Sequence, residues 1–176
     1  MPNWCINQLE VKGPKAQLDK FLLQAKRKKT KEECKSDLSL EALMPTPADL
    51  LSREATGSSM EALNSEPAKR ADDDWYSWRV RNWGTKWDID ADADRINSKS
   101  ATFGFNSAWS PPSKGIQAVS KLFPKLTFVL AYDEPGMGFD GEVTFKAGVI
   151  VEEDYNQGGD YTGRLCGAPE EDEDEA

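Results

Sequence analysis

Aspartate occupies every second position in the stretch KWDIDADADR, which runs from residue 86 to residue 95. The four aspartates are Asp88, Asp90, Asp92 and Asp94, and they alternate with Ile89, Ala91 and Ala93. A period of two places the carboxylates on one face of an extended strand and the apolar side chains on the other. Because an unpaired carboxylate is costly to bury, the aspartate face must meet water. The stretch therefore predicts a strand with an acidic outer surface.

Two metal-binding interpretations compete with the strand. An EF-hand loop beginning at Asp88 would need glycine at its sixth position and glutamate at its twelfth, where this chain has Ala93 and Lys99. A catalytic magnesium site would need ligands from elsewhere, because alternate side chains along a strand stand roughly 6.6 Å apart. The candidates near the later turn YDEPGMGFDG are Asp133, Glu134 and Asp140. A small magnesium-dependent enzyme built on Asp88, Glu134 and Asp140 therefore stays open as an alternative.

Strand and helix patterns follow one another along the first part of the chain. Residues 3–13 alternate like a strand, and apolar residues then recur at helical spacing from residue 18 to residue 25. A short helix is predicted over 75–82, where Gly84 follows as a left-handed cap. The stretch NSKS at 97–100 separates two alternating runs, which is typical of a hairpin.

The second part of the chain repeats this order. Another helix begins after Ser110, has two prolines in its first turn and ends before Pro124. Residues 126–134 read as a strand, 135–141 as a turn, and 142–153 as a last strand that forms a hairpin with the previous one.

Without the last strand, the order is βαββαβ, the ferredoxin-like or split βαβ pattern. We therefore predict an α+β fold. It has an antiparallel sheet with two helices on one face, an extra C-terminal hairpin strand, and a helical insertion after the first helix. Residues 1–155 form a single ferredoxin-like domain with the insertion at 36–82, and residues 156–176 form a flexible acidic tail. Part of the insertion, residues 54–74, is peripheral.

The composition excludes several kinds of chemistry. The chain contains no histidine, which removes Ser-His-Asp and Cys-His catalysis as well as imidazole metal sites. Its three cysteines, Cys5, Cys34 and Cys166, suggest no disulfide framework. The N-terminus is unlike a signal peptide, and no apolar run approaches the length of a membrane span. We expect a cytoplasmic protein without catalytic residues, metal site, cofactor or membrane contact.

Charge and aromatic residues define two candidate binding surfaces. The net charge is −9, to which EEDEDE at 170–175 contributes six negatives, so the protein as a whole does not attract nucleic acid. The first candidate surface is the acidic face, made of Asp88, Asp90, Asp92 and Asp94. The second is the aromatic and basic patch in RVRNWGTKW, made of Arg79, Arg81, Trp83, Lys86 and Trp87. These indoles either stack on single-stranded bases or an interface, or close the core.

The run TFGFNSAW only partly matches the RNA-recognition motif of a ferredoxin-like RNA binder. Phe103, Gly104 and Phe105 match, but the basic residue, the valine and the last aromatic residue are missing. We therefore expect Phe103 and Phe105 in the core.

Four motifs that contain tryptophan, glycine or both occur in the order MPNWCINQLEVKG, NWGTKWD, SAWSPP and YDEPGMGFDG. Together they resemble the YubB-like ferredoxin-fold proteins carried by bacteriophages, plasmids and related mobile elements. The resemblance covers most of residues 1–150, although SAW stands where TAW is usual. It implies a ferredoxin-like domain and a mobile-element origin, and it carries no catalytic residue across. The matching positions are Trp4, Cys5, Asn7, Asn82, Trp83, Gly84, Thr85, Lys86, Trp87, Asp88, Trp109, Pro111, Pro112, Glu134, Pro135 and Gly141.

These observations favour a non-enzymatic binding protein of a phage or plasmid. Its acidic face and tail would engage a host protein with a basic surface, such as a nucleic-acid-binding or defence protein. The main alternative is an RNA or single-stranded DNA binding module that uses Arg79, Arg81, Trp83 and Trp87.

Overall fold

The structure, a computed structural model, describes residues 3–27, 35–52 and 74–166. In chain order the elements are β1 (Trp4–Lys12), α1 (Lys15–Ala25), α2 (Leu40–Leu43), α3 (Ala48–Leu51), α4 (Trp75–Asn82), β2 (Ala93–Ile96), β3 (Ser100–Ala108), α5 (Ser113–Leu122), β4 (Thr127–Glu134), β5 (Phe139–Lys146) and β6 (Val149–Gln157), followed by a 3₁₀ turn (Gly158–Asp160). No helix within the described ranges combines the length and apolar character needed to cross a bilayer.

All six strands form one antiparallel sheet in the order β2-β3-β1-β4-β5-β6. The first four reproduce the ferredoxin-like order, and β5 and β6 extend it at the β4 edge. The predicted α+β, ferredoxin-like fold is therefore confirmed.

The predicted last strand is wrong in one respect. Residues 142–153 do not form one strand, because Ala147 and Gly148 both adopt positive φ, 52° and 84°, and reverse the chain between β5 and β6. Two successive residues at positive φ favour a two-residue hairpin turn.

One face of the sheet packs against α1 and α5 and forms the core. The Phe21 ring of α1 lies at the centre, with its centroid 6.4 Å from Phe103, 5.4 Å from Phe123 and 5.5 Å from Phe128. Each buried phenylalanine contributes roughly 1.5–3 kcal/mol through removal of its surface from water. Phe103 and Phe105 are 0% and 7% exposed, which confirms their predicted core position.

The described ends of the predicted insertion pack tightly against this core. Leu38 and Leu40 are fully buried, and the side chain of Leu40 lies against α5 at Gly115. A Cβ on Gly115 would come within 3.2 Å of Leu40 and 3.3 Å of the Trp83 backbone, so only glycine fits without displacing a neighbour. Of the stretch predicted to be peripheral, residues 54–74, all but Asp74 lies outside the described residues.

The aspartate-rich stretch is extended but pairs less than predicted. Only Ala93–Ile96 forms the strand β2, while Ala91 makes a single bridge to Leu38. The register shifts between Ala93 and Arg95, so the strand bulges at Asp94. The strand is therefore shorter than predicted, because the backbone at Ala91 bonds to residues 37 and 38 and not to β3.

A segment after β6 covers two carboxylates on the other face of the sheet. We call residues 158–166 the C-terminal strap. Asp133 and Asp140, which face each other across β4 and β5, are both 0% exposed. Asp133 accepts hydrogen bonds from Tyr161 Oη at 2.7 Å and from the backbone N–H groups of Leu165 and Cys166 at 3.0 Å.

Asp140 is held by the same strap. One carboxylate oxygen accepts hydrogen bonds from Thr162 N, Thr162 Oγ1 and Gly163 N, at 2.6, 2.9 and 3.0 Å, and Asn156 Nδ2 donates to the other. The domain boundary predicted at residue 155 thus precedes the end of β6 and a segment bonded to the sheet. The acidic run at 170–175 lies outside the described residues.

The pKa of Asp140 shows that these hydrogen bonds outweigh burial. Burial alone would raise this pKa, but the donors from Asn156, Thr162 and Gly163 hold it below its ordinary value. The contribution of the Asp140 carboxylate to stability is therefore fully present above the ordinary pKa of aspartate. It is lost as the pH falls through the lower pKa that this group has in the folded protein.

Asp140→Asn is expected to lower the free energy of unfolding by about 2–4 kcal/mol at pH 7, because an amide replaces an anion that accepts several donors. Urea unfolding at pH 7 and at acid pH measures it, and the two proteins should converge in acid. Asp19→Asn, at an exposed pair with Lys15, is the control and should change stability by less than about 0.5 kcal/mol. An equal loss in both variants, or a pH-independent gap, contradicts the assignment.

Candidate functional site

Three tryptophans stack at one end of the sheet, and we call them the indole ladder: Trp4, Trp87 and Trp109. The ring centroids of Trp4 and Trp87 are 5.8 Å apart, and those of Trp87 and Trp109 are 6.2 Å apart with the planes inclined by 22°. Their exposed fractions are 45%, 38% and 44%. Large aromatic side chains so exposed and so close together are unusual on a protein surface, which makes the ladder the strongest candidate site.

Two strand ends and a tight turn build the ladder. Trp4 begins β1 opposite Ala108, the last residue of β3, and Trp109 N donates to Asn3 O at 2.9 Å. Trp109 has φ 65°, an uncommon conformation for a bulky residue, which turns the chain out of β3. Backbone strain of this kind is often kept at functional sites.

The NWGTKW motif delivers the third indole. Gly84 adopts φ 86° as a left-handed cap after α4, as the sequence predicted. The Thr85 hydroxyl then donates to Ala108 O and accepts from Ala108 N, at 3.3 and 3.2 Å, while Ser110 Oγ donates to Gly84 O at 2.7 Å. These bonds tie the motif to the end of β3 and place Trp87 between the other two indoles.

A single lysine lies across the aromatic surface. Lys86 Nζ is 4.9 Å from the ring centroid of Trp87, 5.7 Å from that of Trp109 and 5.3 Å from that of Tyr76. At these distances the ammonium is attracted to the ring faces, by about 0.5–1 kcal/mol per exposed contact. Lys86 thus connects the Tyr76 ring of α4 with the rings of Trp87 and Trp109.

The structure divides the predicted aromatic and basic patch. Trp83 is fully buried and its Nε1 donates to Met44 O at 3.1 Å. Arg79 lies 4.6 Å above the Trp83 ring and donates to Thr46 and Glu41, both at 3.0 Å. Both residues therefore hold the insertion against the core. Of the patch, Trp87 belongs to the ladder, Lys86 lies over its rings, and Arg81 is exposed on α4.

The predicted acidic face is divided in the same way. Asp88 is largely buried, and it accepts hydrogen bonds from Arg27 at 2.9 Å, Ser39 Oγ at 2.6 Å and Glu41 N at 3.0 Å, which fixes the start of α2. The other three, Asp90, Asp92 and Asp94, are exposed as predicted. Asp90 pairs with Arg27 at 3.4 Å. We call these three the acidic row.

The three carboxylates of the alternative magnesium site, Asp88, Glu134 and Asp140, do not form a metal-binding cluster. Asp88 bonds to the start of α2, and Asp140 bonds to the C-terminal strap. Among the described residues, no group of three potential metal-ligating side chains is close enough to hold an ion. Near the ladder, burial raises the pKa of the Cys5 thiol to about 12, so this cysteine is uncharged and a poor nucleophile at neutral pH.

Open pockets lie on both sides of Trp4. One, of about 480 Å³, runs along the end of β3 past Trp87, Asp88 and Asp90. The other, of about 370 Å³, is bordered by Asn3, Ile6, Asn106, Gly136 and the buried carboxylate of Glu134. A binding surface therefore extends across Trp4, with carboxylates at both sides and Lys86 as the cation on the rings.

Trp4, Trp109 and Tyr76 were not among the predicted site residues. The sequence contains a signal for two of them, because Trp4 and Trp109 stand in the motifs MPNWCINQLEVKG and SAWSPP. Their convergence depends on the pairing of β1 with β3, which no local pattern shows.

Replacing a ladder indole should cost much less stability than replacing the buried one. Trp83→Ala is expected to lower the free energy of unfolding by about 3–5 kcal/mol, because it leaves a core cavity. Trp87→Ala should cost only about 1–2 kcal/mol, since it removes two ring contacts at a half-exposed position. Urea unfolding followed by circular dichroism compares them, and equal losses would place the ladder in the core.

Comparisons with known proteins show the family and the fold. Residues 82–176 match the model for the ferredoxin-like domain in Api92-like protein. The crystal structure of protein Api92 from Yersinia pseudotuberculosis is similar, with a TM-score of 0.55 and 12% identity, over 90% of this chain and 99% of that chain. No curated protein matches. The family match covers more than half of the chain, from the end of α4 through β6, and includes Trp87 and Trp109. The chain belongs to the Api92-like family, whose ferredoxin-like domain it carries.

Proposed function

We propose that this chain is a non-enzymatic binding protein that engages a partner protein with a basic surface. The observation that carries the proposal is the indole ladder, three stacked and half-exposed tryptophans flanked by carboxylates. Tryptophan is enriched among the few interface residues that supply most binding energy. The rings are held by strand ends and a capped turn, so little ordering is needed when a partner binds.

The acidic row supports a basic partner. Asp90 lines the pocket between Trp4 and Trp87, and Asp92 and Asp94 follow it along the chain, with Asp94 in the edge strand β2. Carboxylates around an aromatic centre speed the encounter with a positively charged surface and disfavour a negatively charged one. A line of negative charges on an extended backbone also resembles a phosphate backbone, which suits a partner that itself binds nucleic acid.

The biological setting is the further part of the proposal. The resemblance of NWGTKWD and the accompanying motifs to YubB-like proteins supports a phage or plasmid origin. Such a protein would act in the cytoplasm of the bacterial host, where nucleic-acid-binding and defence proteins are the basic partners available. Inhibition of such a host protein is the role we assign to the complex.

Affinity capture from bacterial lysate with mass spectrometry tests this proposal. We expect to capture a partner with a basic surface, and we expect the Trp87→Ala variant not to capture it. Capture should weaken with added salt, and also when Asp90, Asp92 and Asp94 are all changed to asparagine. The matched control neutralises Glu152, Glu153 and Asp160 at or beside the opposite sheet edge, which removes the same charge from exposed positions. Equal loss in both triple variants would show an effect of net charge alone.

Single-stranded nucleic acid is the second candidate ligand. The observation that favours it is Lys86, whose ammonium lies over the rings of Trp87 and Trp109, as in proteins that stack bases beside a cation. The neighbouring carboxylates Asp88, Asp90 and Glu134 oppose it.

Fluorescence anisotropy with short labelled DNA and RNA strands separates the two candidates. The protein-partner proposal expects no binding at physiological salt, because carboxylates on both sides of Trp4 repel phosphates. Binding that disappears in Trp87→Ala and falls steeply with salt would instead support the nucleic-acid candidate. Binding that survives in Trp87→Ala would support neither use of the ladder.

A further inference from the structure

A buried carboxylate oxygen without a partner lies beside the ladder. Glu134 ends β4 and is only 1% exposed. Its Oε2 accepts a hydrogen bond from Met137 N in the following turn, whereas its Oε1 is buried and has no hydrogen-bond partner among the residues that the structure describes. A buried acceptor that lacks a donor destabilises the folded state. A donor brought by a ligand would remove this destabilisation.

The surroundings of this oxygen form a cradle that a small side chain would fill. A Cβ on Gly136 would lie 3.0 Å from Glu134 Oε1 and 2.8 Å from Asn3 Nδ2. Access of a ligand to the carboxylate requires the carboxamide of Asn3, which is exposed, to turn aside. The pocket of about 370 Å³ lies in front of this cradle, with the Trp4 indole as one wall and Ile6 beside it.

The chemistry of the walls selects the ligand. A carboxylate attracts a cation, an indole face attracts a flat cation above all, and an adjacent apolar wall favours an aliphatic stem. A guanidinium meets all three conditions, because it is planar, weakly hydrated and rich in N–H donors. An ammonium meets only the first two well, since it is strongly hydrated and compact.

We propose that the Glu134 pocket, formed by Glu134, Gly136, Asn3 and Trp4, binds an arginine side chain of the partner. The guanidinium donates to Glu134 Oε1 and stacks on the exposed Trp4 ring. This inference rests on the proposed function, since it names the anchoring residue of the basic partner. The remaining ladder rings, Trp87 and Trp109, contact the partner on the other side of Trp4.

Nuclear magnetic resonance titration of the full chain tests the pocket directly. The probe is N-acetyl-arginine amide, and the matched probe is N-acetyl-citrulline amide, which has the same shape without the charge. We expect weak but saturable binding, with a Kd on the order of 1 mM, and shifts at the Gly136 and Met137 amides and the Trp4 indole N–H. N-acetyl-lysine amide should bind more weakly. Equal shifts with the citrulline probe, or none with arginine, overturn the proposal.

Two variants tie those shifts to the cradle. Gly136→Ala fills it, and Glu134→Gln removes the charge, so each should weaken binding of the arginine probe at least about tenfold. Gly159→Ala is the control, because a Cβ there meets nothing within 4 Å. Unchanged arginine binding in Glu134→Gln overturns the proposal, even where Gly136→Ala alters the fold.

The same variants distinguish this inference from the function on which it rests. The triple variant in which Asp90, Asp92 and Asp94 are changed to asparagine should weaken capture of the partner but leave the arginine titration intact, because none of these residues lines the Glu134 pocket. If Gly136→Ala and Glu134→Gln leave capture unchanged, the partner does not use the pocket and the inference is overturned, while the protein-binding function stands.

Discussion

The pairing of β1 between β3 and β4 determines where every other part of the molecule lies. Asn7 helps to fix that register from inside, because its buried amide donates to Cys5 O within β1 and to Phe105 O and Ser107 Oγ across the β1–β3 pair. Since side chains alternate along a strand, burial of Cys5 and Leu9 leaves Trp4 on the opposite face. A slip by one residue would exchange the two faces. The exposed indole and the packed core thus follow from one set of hydrogen bonds.

Local periodicity was enough to predict most of the fold. The alternating stretch that became β1 and the helical spacing of α1 each reflect a preference of the backbone itself, and their order prescribes the ferredoxin-like connections. The burial of Phe103 and Phe105, two residues apart in β3, agrees with the same alternation. The turn at Ala147 and Gly148 is hard to predict because alanine rarely adopts positive φ, so the glycine alone is a weak signal of the reversal.

The candidate site was less predictable because it depends on partners distant in sequence. Trp83 and Trp87 stand four residues apart in one motif, yet the left-handed turn at Gly84 sends one indole into the core and the other to the surface. Asp88 begins a regular row of aspartates, but Arg27 and Ser39 draw it inward. Neither outcome is visible in the spacing of the residues, since both are decided by segments that fold against the motif.

The C-terminal strap changes what counts as the folding unit. Its backbone N–H groups donate hydrogen bonds to two carboxylates that it also covers, so Asp133 and Asp140 have these donors only when the chain beyond Gln157 is present. A domain boundary placed at the end of β6 would separate these two carboxylates from their hydrogen-bond donors in the strap. When this domain is transferred to another protein or fused to one, the transferred segment must include the C-terminal strap through Cys166.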